Sequence, residues 1–264
     1  MHCHHTEYTP AIVNRQQALY SSLMKQDRVV VITGAARRVG KELAIHLAKE
    51  GYKVVLHCNT SLDEAERVHQ QLKAMGHDSR VVQGDLTDLT GLKGLFLRFV
   101  ESFGQVDALI NSASNFYNIS LEETTVKQWQ ADMALHAGAP FFLSKMLYQH
   151  CKGRDVKGAV VNITDSQLAS PPANRPSYYL SKASLAQETT LLARQLAPYV
   201  RVNAVAPGLV LSNGEDGYFL KMGKILPLQR TGTPSDVCEA VSYLLSASFV
   251  TGVSLPVDGG HHLL

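Results

Sequence analysis

The stretch Val29-Val30-Val31-Ile32-Thr33-Gly34-Ala35-Ala36-Arg37-Arg38-Val39-Gly40 joins an apolar run to a turn of small residues that opens a helical segment. The run predicts a buried strand, and the residues after the turn predict a helix. Small residues let the backbone approach a pyrophosphate, and the N–H groups at the helix start attract that anion. The stretch therefore indicates a dinucleotide-binding turn, although this motif alone leaves a plain strand-to-helix turn open.

Short apolar runs alternate with longer segments of helical period along the rest of the chain, which is typical of a parallel sheet covered by helices on both faces. The predicted strands are residues 29–33, 53–58, 79–83, 108–111, 159–163 and 201–205, with a last strand near Ser254. The predicted helices are residues 39–50, 62–75, 90–103, 125–150, 178–196 and 234–245. The sequence thus predicts an α/β fold with a doubly wound parallel sheet of about seven strands.

The length and composition fit one catalytic or binding domain. A chain of 264 residues with 45% hydrophobic residues can bury a sizeable core, and we assign that domain to residues 27–264. Residues 1–26 precede the first strand and are predicted to be an N-terminal extension. Residues 209–226 carry glycines and aromatics with little clear period, so we predict a substrate loop there.

Charge and cysteine usage limit the partners. The 25 lysines and arginines against 23 aspartates and glutamates form no basic stripe, which disfavours nucleic acid and leaves a small molecule as the expected partner. Runs of signal-peptide or membrane-span length are absent from the sequence, and four scattered cysteines without CxxC spacing indicate reduced thiols. These features predict a cytoplasmic protein with no membrane partner. Five histidines near the chain ends are interpreted as solvated tails and not as a metal site: His2, His4, His5, His261 and His262.

The end of the second strand indicates which dinucleotide is preferred. A site for the unphosphorylated ribose usually places an acidic residue about twenty residues after the glycines. Here the strand ends in His57-Cys58-Asn59-Thr60-Ser61, and the first carboxylate after it is Asp63. Because Arg37 and Arg38 add cations for a 2′-phosphate, the sequence favours NADPH, bound at this end by His57, Asn59, Thr60 and Ser61.

Five motifs together resemble the short-chain dehydrogenase/reductase family, in the right order over residues 28–260. They are Thr33 to Gly40, Gly84-Asp85-Leu86-Thr87, Asn111-Ser112-Ala113-Ser114, Tyr178-Tyr179-Leu180-Ser181-Lys182 and Pro207-Gly208-Leu209. The resemblance implies a Rossmann-type fold and a homotetramer whose interfaces use the helices at 125–150 and 178–196. It also implies the cofactor-binding residues Gly34, Arg37, Arg38, Val39, Asp85, Leu86, Ser112, Ala113, Ser114, Lys182, Pro207 and Gly208.

Within that family the pattern is most similar to the pteridine reductases. Arg38 replaces the usual middle glycine, Ser114-Asn115-Phe116-Tyr117 follows the fourth strand, and Asp165 replaces the usual serine. The resemblance implies that Phe116 stacks a flat heterocycle on the nicotinamide and that Arg38 reaches both cofactor and substrate. The implied substrate contacts are Arg38, Ser114, Phe116, Asp165 and Tyr178. Thr60 stands at a position where parasite pteridine reductases have a basic residue. Because threonine offers only a hydroxyl group to a 2′-phosphate, the use of NADH stays open.

The predicted catalytic residues are Tyr178, Lys182 and Asp165. Tyr178 and Lys182 lie four residues apart and share one helix face. Tyr178 is the expected proton donor to the atom beside the carbon that receives hydride, and the ammonium of Lys182 is expected to lower the phenol pKa and hold the nicotinamide ribose. An ionised Asp165 would oppose a developing oxyanion, whereas an acid with a raised pKa could relay a proton to an imine nitrogen.

Three functions remain open at this stage. The first is an NADPH-dependent reductase of pterins or dihydropterins, dihydrofolate included. The second is a carbonyl reductase, such as one acting on 3-oxoacyl thioesters, and the third is a dinucleotide-binding regulator without turnover. His136 stands where the family usually has asparagine, and because imidazole titrates near neutral pH we expect activity to vary steeply with pH.

Overall fold

The computed structural model describes residues 27–115, 117–212 and 216–264. Seven parallel strands form one sheet in the order β3-β2-β1-β4-β5-β6-β7. The strands are β1 Val29–Ile32, β2 Lys53–Cys58, β3 Ser79–Gln83, β4 Ala108–Asn111, β5 Gly158–Ile163, β6 Val200–Pro207 and β7 Ser254–Val257. The helices are α1 Arg38–Lys49, α2 Leu62–Ala74, α3 Leu92–Phe103, α4 Val126–Met133, α5 Ala139–Gly153, α6 Pro176–Leu196, α7 Asp216–Ile225 and α8 Pro234–Ser246.

Strand β1 shows why the opening apolar run becomes a central strand. Successive side chains of a strand point to opposite faces of the sheet. Val30 and Ile32 enter one core beside Leu43 of α1, while Val29 and Val31 enter the other core beside Phe99 of α3. Because both faces are covered, the run has no polar alternation, which is the pattern expected of a buried parallel sheet. The predicted Rossmann-type α/β fold is confirmed.

The strand order reverses direction beside β1, since β2 lies on one side of it and β4 on the other. Ligands of doubly wound sheets bind outside the carboxyl ends of the strands at such a switch point. The turn after β1, which includes Gly34, and the turn after β4, which includes Ser112, therefore meet at one edge of the sheet.

The predicted helix over residues 125–150 is three consecutive segments. A π-helical turn, Ala134–Gly138, separates α4 from α5, and the N–H of Ala139 bonds to the carbonyl of Ala134. Pro140 follows directly and has no N–H, so the regular bonding pattern cannot run through this point. The wide turn carries His136 in a buried position.

Helix α7 lies inside the predicted substrate loop over residues 209–226, where the sequence showed no clear period. Gly217 and Gly223 both belong to this ten-residue helix, and much of it is exposed, which explains the weak amphipathic signal. Residues 213–215 and the predicted N-terminal extension, residues 1–26, lie outside the described residues. In the described part of the chain, none of the helices is both long and apolar enough to span a membrane.

Candidate active site

A cleft of about 1130 Å³ opens at the carboxyl ends of the central strands. Every site residue predicted from the sequence lines it, except Phe116, which lies outside the described residues. The volume is at the upper end for small-molecule sites and leaves room for a dinucleotide and a second ligand together. The cleft therefore joins the predicted cofactor-binding and catalytic residues in one space.

The glycine turn at one end of the cleft is packed so closely that side chains are excluded from it. A Cβ at Gly34 would lie 2.8 Å from Ala113 Cα, and one at Gly40 would lie 2.2 Å from the Gly34 carbonyl oxygen. Gly34 and Arg38 both have positive φ, at 69° and 52°. Arg38 thus holds a conformation that usually favours glycine, a local strain that is often found at functional sites.

The ring of His57 contacts the glycine turn through one nitrogen and the Gly84 carbonyl through the other, so it has no N–H left for a ligand. The Gly34 N–H donates to His57 Nδ1 at 3.4 Å, and His57 Nε2 lies 3.0 Å from the Gly84 carbonyl oxygen. Burial lowers the pKa of His57 to about 4, which keeps the ring neutral. The sequence prediction that His57 binds the 2′-phosphate directly is therefore corrected to a positioning role, because both ring nitrogens already have partners.

The tip of β2 is polar and open, as predicted. Asn59 and Thr60 are exposed beside Ser61, and no carboxylate occupies these three positions. Arg37, however, forms an ion pair of 2.5 Å with Glu64 in the first turn of α2. The pair is exposed, so it is worth little in stability and can rearrange around an anion. Glu64 was not weighed in the sequence prediction, since its position in α2 gave no sign that it reaches the glycine turn.

The remaining cofactor-binding candidates are fixed by short backbone contacts. Thr33 Oγ1 accepts hydrogen bonds from the N–H groups of Ser112 and Ala113, both at 3.0 Å. Asp85 Oδ1 accepts hydrogen bonds from the N–H and the hydroxyl group of Thr87, both at 2.8 Å. These bonds stabilise the turn that contains the buried Leu86. Gly208 leaves no room for a side chain, because its Cβ would lie 2.6 Å from Asp258 Cβ.

The three predicted catalytic residues meet on the opposite wall. Tyr178 Oη donates to Asp165 Oδ2 at 3.0 Å, and the Gln167 N–H donates to Asp165 Oδ1 at 2.9 Å. Lys182 lies one turn after Tyr178 on α6, and its Nζ donates to the Ile163 carbonyl oxygen at 2.6 Å. Helix α6 positions the phenol and the ammonium, while the turn after β5 positions the carboxyl group.

Burial dominates the electrostatics of this group. It raises the pKa of Asp165 above its ordinary value, against the opposing effects of its hydrogen bonds and of the charges on Lys182 and His261. This direction agrees with the raised pKa expected for Asp165. Burial also lowers the pKa of Lys182 to about 8.

The expectation that Lys182 lowers the pKa of Tyr178 is wrong. Burial, followed by the negative charge of Asp165, raises the phenol pKa well above its ordinary value. Lys182 Nζ lies 6.0 Å from the centre of the Tyr178 ring and points to a backbone carbonyl. Tyr178 is therefore a neutral hydrogen-bond donor in this arrangement and not a phenolate.

His136 lies directly behind Tyr178, with the two ring centres 5.5 Å apart in an edge-to-face contact. Burial and the nearby charge of Lys182 lower the pKa of His136 well below its ordinary value. The imidazole is therefore neutral across the ordinary pH range. The lowered pKa of His136 argues against its titration near neutral pH, while the expected pH dependence of activity stays a prediction.

Gln167 and His261 are among the residues of the cleft wall that sequence reasoning did not include in the site. Gln167 holds Asp165 through its backbone, and its side chain lies 3.3 Å from His261 Nε2. His261 was interpreted as part of a solvated tail, which is wrong, because the ring lines the cleft and its Nδ1 is buried. Asp258 folds the last turn back by accepting from the N–H groups of Gly260 and His262. The Asp-Gly-Gly stretch was the only signal for this turn.

Comparison with known proteins identifies the family. A family model described as enoyl-(acyl carrier protein) reductase matches residues 34–262. The chain is 30% identical over 248 residues to a Staphylococcus aureus protein named 3-oxoacyl-(acyl-carrier-protein) reductase FabG, covering 91% of this chain and 100% of that relative. The chain belongs to the short-chain dehydrogenase/reductase family. As a member of that family it is an oxidoreductase, which explains the dinucleotide-sized cleft.

Solved structures of short-chain dehydrogenases/reductases give a second, different comparison. FolM alternative dihydrofolate reductase 1 from Brucella canis, complexed with NADP, has a TM-score of 0.86 and 34% identity over 91% of this chain and 96% of that chain. The corresponding protein from Brucella suis, also with NADP, has a TM-score of 0.84 and 34% identity over 90% and 96%. The relative found by sequence is named for a 3-oxoacyl substrate and the relatives found by structure are named for dihydrofolate. The residues of the cleft must therefore decide which substrate class this chain suits.

Proposed function

We propose that this short-chain dehydrogenase/reductase is an NADPH-dependent reductase of pterins or dihydropterins, dihydrofolate included. The observation that supports this most is the half-buried Asp165 beside Tyr178 Oη, at 3.0 Å. Desolvation raises the pKa of this carboxyl group above its ordinary value, so it holds a proton more readily than an exposed aspartate and can supply that proton. Reduction of a C=N bond needs such a proton on nitrogen.

A ketone substrate suits this arrangement less well. Hydride addition to a carbonyl places negative charge on oxygen, and that charge is stabilised by fixed hydrogen-bond donors. Protonated Asp165 could serve a carbonyl oxygen as well, but once it has given up its proton its charge would lie one hydrogen bond beyond Tyr178 and would repel negative charge that remains on that oxygen. An imine nitrogen develops less negative charge and ends as a neutral amine, so the same carboxyl group is tolerated.

The residues present fit NADPH. The helix start at Arg38 and the close-packed Gly34 provide the pyrophosphate turn, and Lys182 can reach a ribose from α6. Arg37 and Arg38 supply cations for a 2′-phosphate next to Asn59, Thr60 and Ser61, where no carboxylate repels it. The FolM structures are complexes with NADP, which agrees with this choice.

When bound, NADPH supplies hydride to an electron-poor ring carbon of the substrate. The relay requires protonated Asp165 with the present bond reversed, so that the carboxyl O–H would donate to Tyr178 Oη and the phenol O–H would turn to the neighbouring ring nitrogen. Tyr178 would then give its proton to that nitrogen while Asp165 passes its own proton to Oη across the 3.0 Å separation. The phenol is never left as an anion, which matters because its pKa is raised. Gln167 holds Asp165 in place through its N–H, and water in the cleft returns the proton to the carboxyl group.

The alternative is a reductase of 3-oxoacyl thioesters, which the names of the sequence relatives favour. Tyr178 and Lys182 would serve that reaction too, so the choice depends on Asp165. A binding protein without turnover is disfavoured, because it would not need the buried phenol of Tyr178, the buried ammonium of Lys182 and the carboxyl group of Asp165 in one cleft.

The deciding experiment measures NADPH oxidation with 7,8-dihydrobiopterin, 7,8-dihydrofolate and an acetoacetyl thioester, on the wild type and on Asp165→Ser. We expect the wild type to turn over a dihydropterin rapidly and the variant to lose this activity. The reason is that serine cannot supply the proton that replaces the one given up by Tyr178. Turnover of the thioester alone, kept or improved by Asp165→Ser, would overturn the proposal. The same assay with NADH measures the cofactor preference.

We also propose a homotetramer that uses helices α4, α5 and α6, the segments over residues 125–150 and 178–196. Val126 and Trp129 on α4, with Leu180 and Leu191 on α6, are large apolar side chains that are 44–74% exposed in the single chain. Side chains of this kind gathered on neighbouring helices favour burial against another copy. Light scattering behind size exclusion tests this, and Leu191→Glu should reduce the measured mass if α6 is in the interface.

A further inference from the structure

The hydrogen bonds around His136 determine which of its nitrogens carries the proton. Ser181 Oγ donates to the Tyr178 carbonyl oxygen at 2.7 Å, and His136 Nδ1 lies 2.8 Å from the same Ser181 Oγ. A carbonyl oxygen can only accept, and a hydroxyl has only one hydrogen. If Ser181 gave that hydrogen to His136, two oxygen lone pairs would face each other at 2.7 Å. His136 Nδ1 therefore carries the hydrogen and donates to Ser181.

The same reasoning gives the direction of the next bond in the chain. A neutral imidazole with hydrogen on Nδ1 has a lone pair on Nε2. Ser114 Oγ lies 3.1 Å from His136 Nε2, so Ser114 donates to the ring. A second acceptor, the Asn115 carbonyl oxygen, also lies 3.1 Å from Ser114 Oγ. Whichever acceptor receives it, the hydroxyl hydrogen of Ser114 points into the protein.

Ser114 is exposed in the cleft, so a substrate can reach its oxygen. With its hydrogen directed inward, that oxygen offers only lone pairs. We propose that His136, together with the Asn115 carbonyl oxygen, fixes Ser114 as a hydrogen-bond acceptor, so that the site prefers substrates that present an N–H group over substrates that present only carbonyl oxygens. This inference rests on the proposed function and specifies the substrate class further, as a nitrogen heterocycle that carries N–H donors.

The chemistry of the competing substrates differs at this point. A dihydropterin carries ring N–H and amino groups, any of which can donate to Ser114. A 3-oxoacyl thioester has two carbonyl oxygens and no donor in its reacting part, so its lone pairs would face those of Ser114. His136 touches neither substrate and acts through Ser114, and it is therefore a positioning residue. Burial and the charge of Lys182 keep the ring neutral, which preserves the Nε2 lone pair.

The first test is the tautomer itself, measured by nitrogen NMR on protein with isotope-labelled histidine. His136→Asn identifies the signals by difference. We expect a protonated Nδ1 and an unprotonated Nε2 that do not titrate between about pH 5 and 8. A ring protonated on Nε2, or one that becomes an imidazolium in this range, would overturn the proposal, because Ser114 would then keep its hydrogen for the substrate.

The second test compares Ser114→Ala, His136→Asn and the double variant, using the ratio of kcat/KM for 7,8-dihydrobiopterin to that for an acetoacetyl thioester. Each single change removes the effect of one hydrogen bond, so we expect it to lower the ratio by up to about tenfold. Because His136 acts through Ser114, the double variant should fall no further. An unchanged ratio in either single variant, or losses that multiply, contradicts the proposal. Lack of dihydropterin turnover in the wild type would instead defeat the proposed function, while the NMR result still decides the direction of the Ser114 bond.

Discussion

The hydrogen bond between Tyr178 and Asp165 predicts that the two side chains fail as one unit. Tyr178→Phe removes the hydroxyl group, and Asp165→Asn keeps the size of the side chain but has no acidic proton. A positioned proton donor contributes about 10²–10⁴-fold to a rate. We expect each variant to lose kcat on 7,8-dihydrobiopterin by a factor in that range, equivalent to about 3–5 kcal/mol of transition-state stabilisation.

The structure explains why both losses should be large. The pKa of the phenol is raised well above its ordinary value, so Tyr178 gives up its proton only when another proton replaces it. Asp165 Oδ2, at 3.0 Å, is the group placed to do that. In a relay the second removal costs little once the first is made, and we expect the double variant to fall at most about tenfold below the weaker single variant.

The assay is the single-turnover decay of NADPH absorbance with enzyme in excess, so that product release does not hide the chemical step. Tyr243→Phe, a change at a half-exposed surface tyrosine, serves as the matched control and should keep the wild-type rate. Two independent donors would instead give losses that multiply in the double variant. That result, or a wild-type rate in Asp165→Asn, would refute the relay.

Three further predictions concern the rest of the cleft. The pKa of His57 is lowered to about 4 in the folded chain. Between about pH 6.5 and 4 the unfolded chain therefore binds a proton at His57 that the folded chain does not. The free energy of unfolding falls as pH falls through this window, by about 3 kcal/mol in all. Urea unfolding of His57→Gln should show a correspondingly weaker loss on acidification, and an identical loss would exclude His57 as the source. Arg37→Ala should raise the KM for NADPH about tenfold or more and leave that for NADH unchanged, whereas Glu64→Gln should lower the KM for NADPH by releasing Arg37. His261→Leu should raise the KM for the dihydropterin several-fold without changing that for NADPH, and Leu263→Ala, at an exposed position on the same turn, should change neither.

The sequence predicted the strands, most helices and the cleft wall because these depend on local pattern. The apolar run of β1 and the small residues after it are contiguous, and Tyr178 and Lys182 share a helix face by their spacing alone. Local pattern does not show which group a side chain bonds to. The spacing shows that Lys182 lies near Tyr178, yet it does not show that Nζ bonds to Ile163 of another element.

The positions that the sequence misjudged depend on contacts between distant segments. His57 has partners on both sides, Gly34 after β1 and Gly84 after β3, and neither contact is visible in the β2 sequence. His261 follows two glycines near the end of the chain, a position that is usually solvated. The bonds of Asp258 to the last turn and the contact of the Gln167 side chain place it in the cleft.

The two arguments for a nitrogen substrate come from different parts of the cleft. Asp165 lies near the ammonium of Lys182, which favours its ionised form. Burial nevertheless outweighs this effect and raises its pKa, so the pair with Tyr178 is equipped to give a proton. Ser114, held by His136, can only receive a hydrogen bond. A dihydropterin satisfies both groups, since it offers an imine nitrogen to the donor and N–H groups to the acceptor, whereas a ketone can satisfy only the donor.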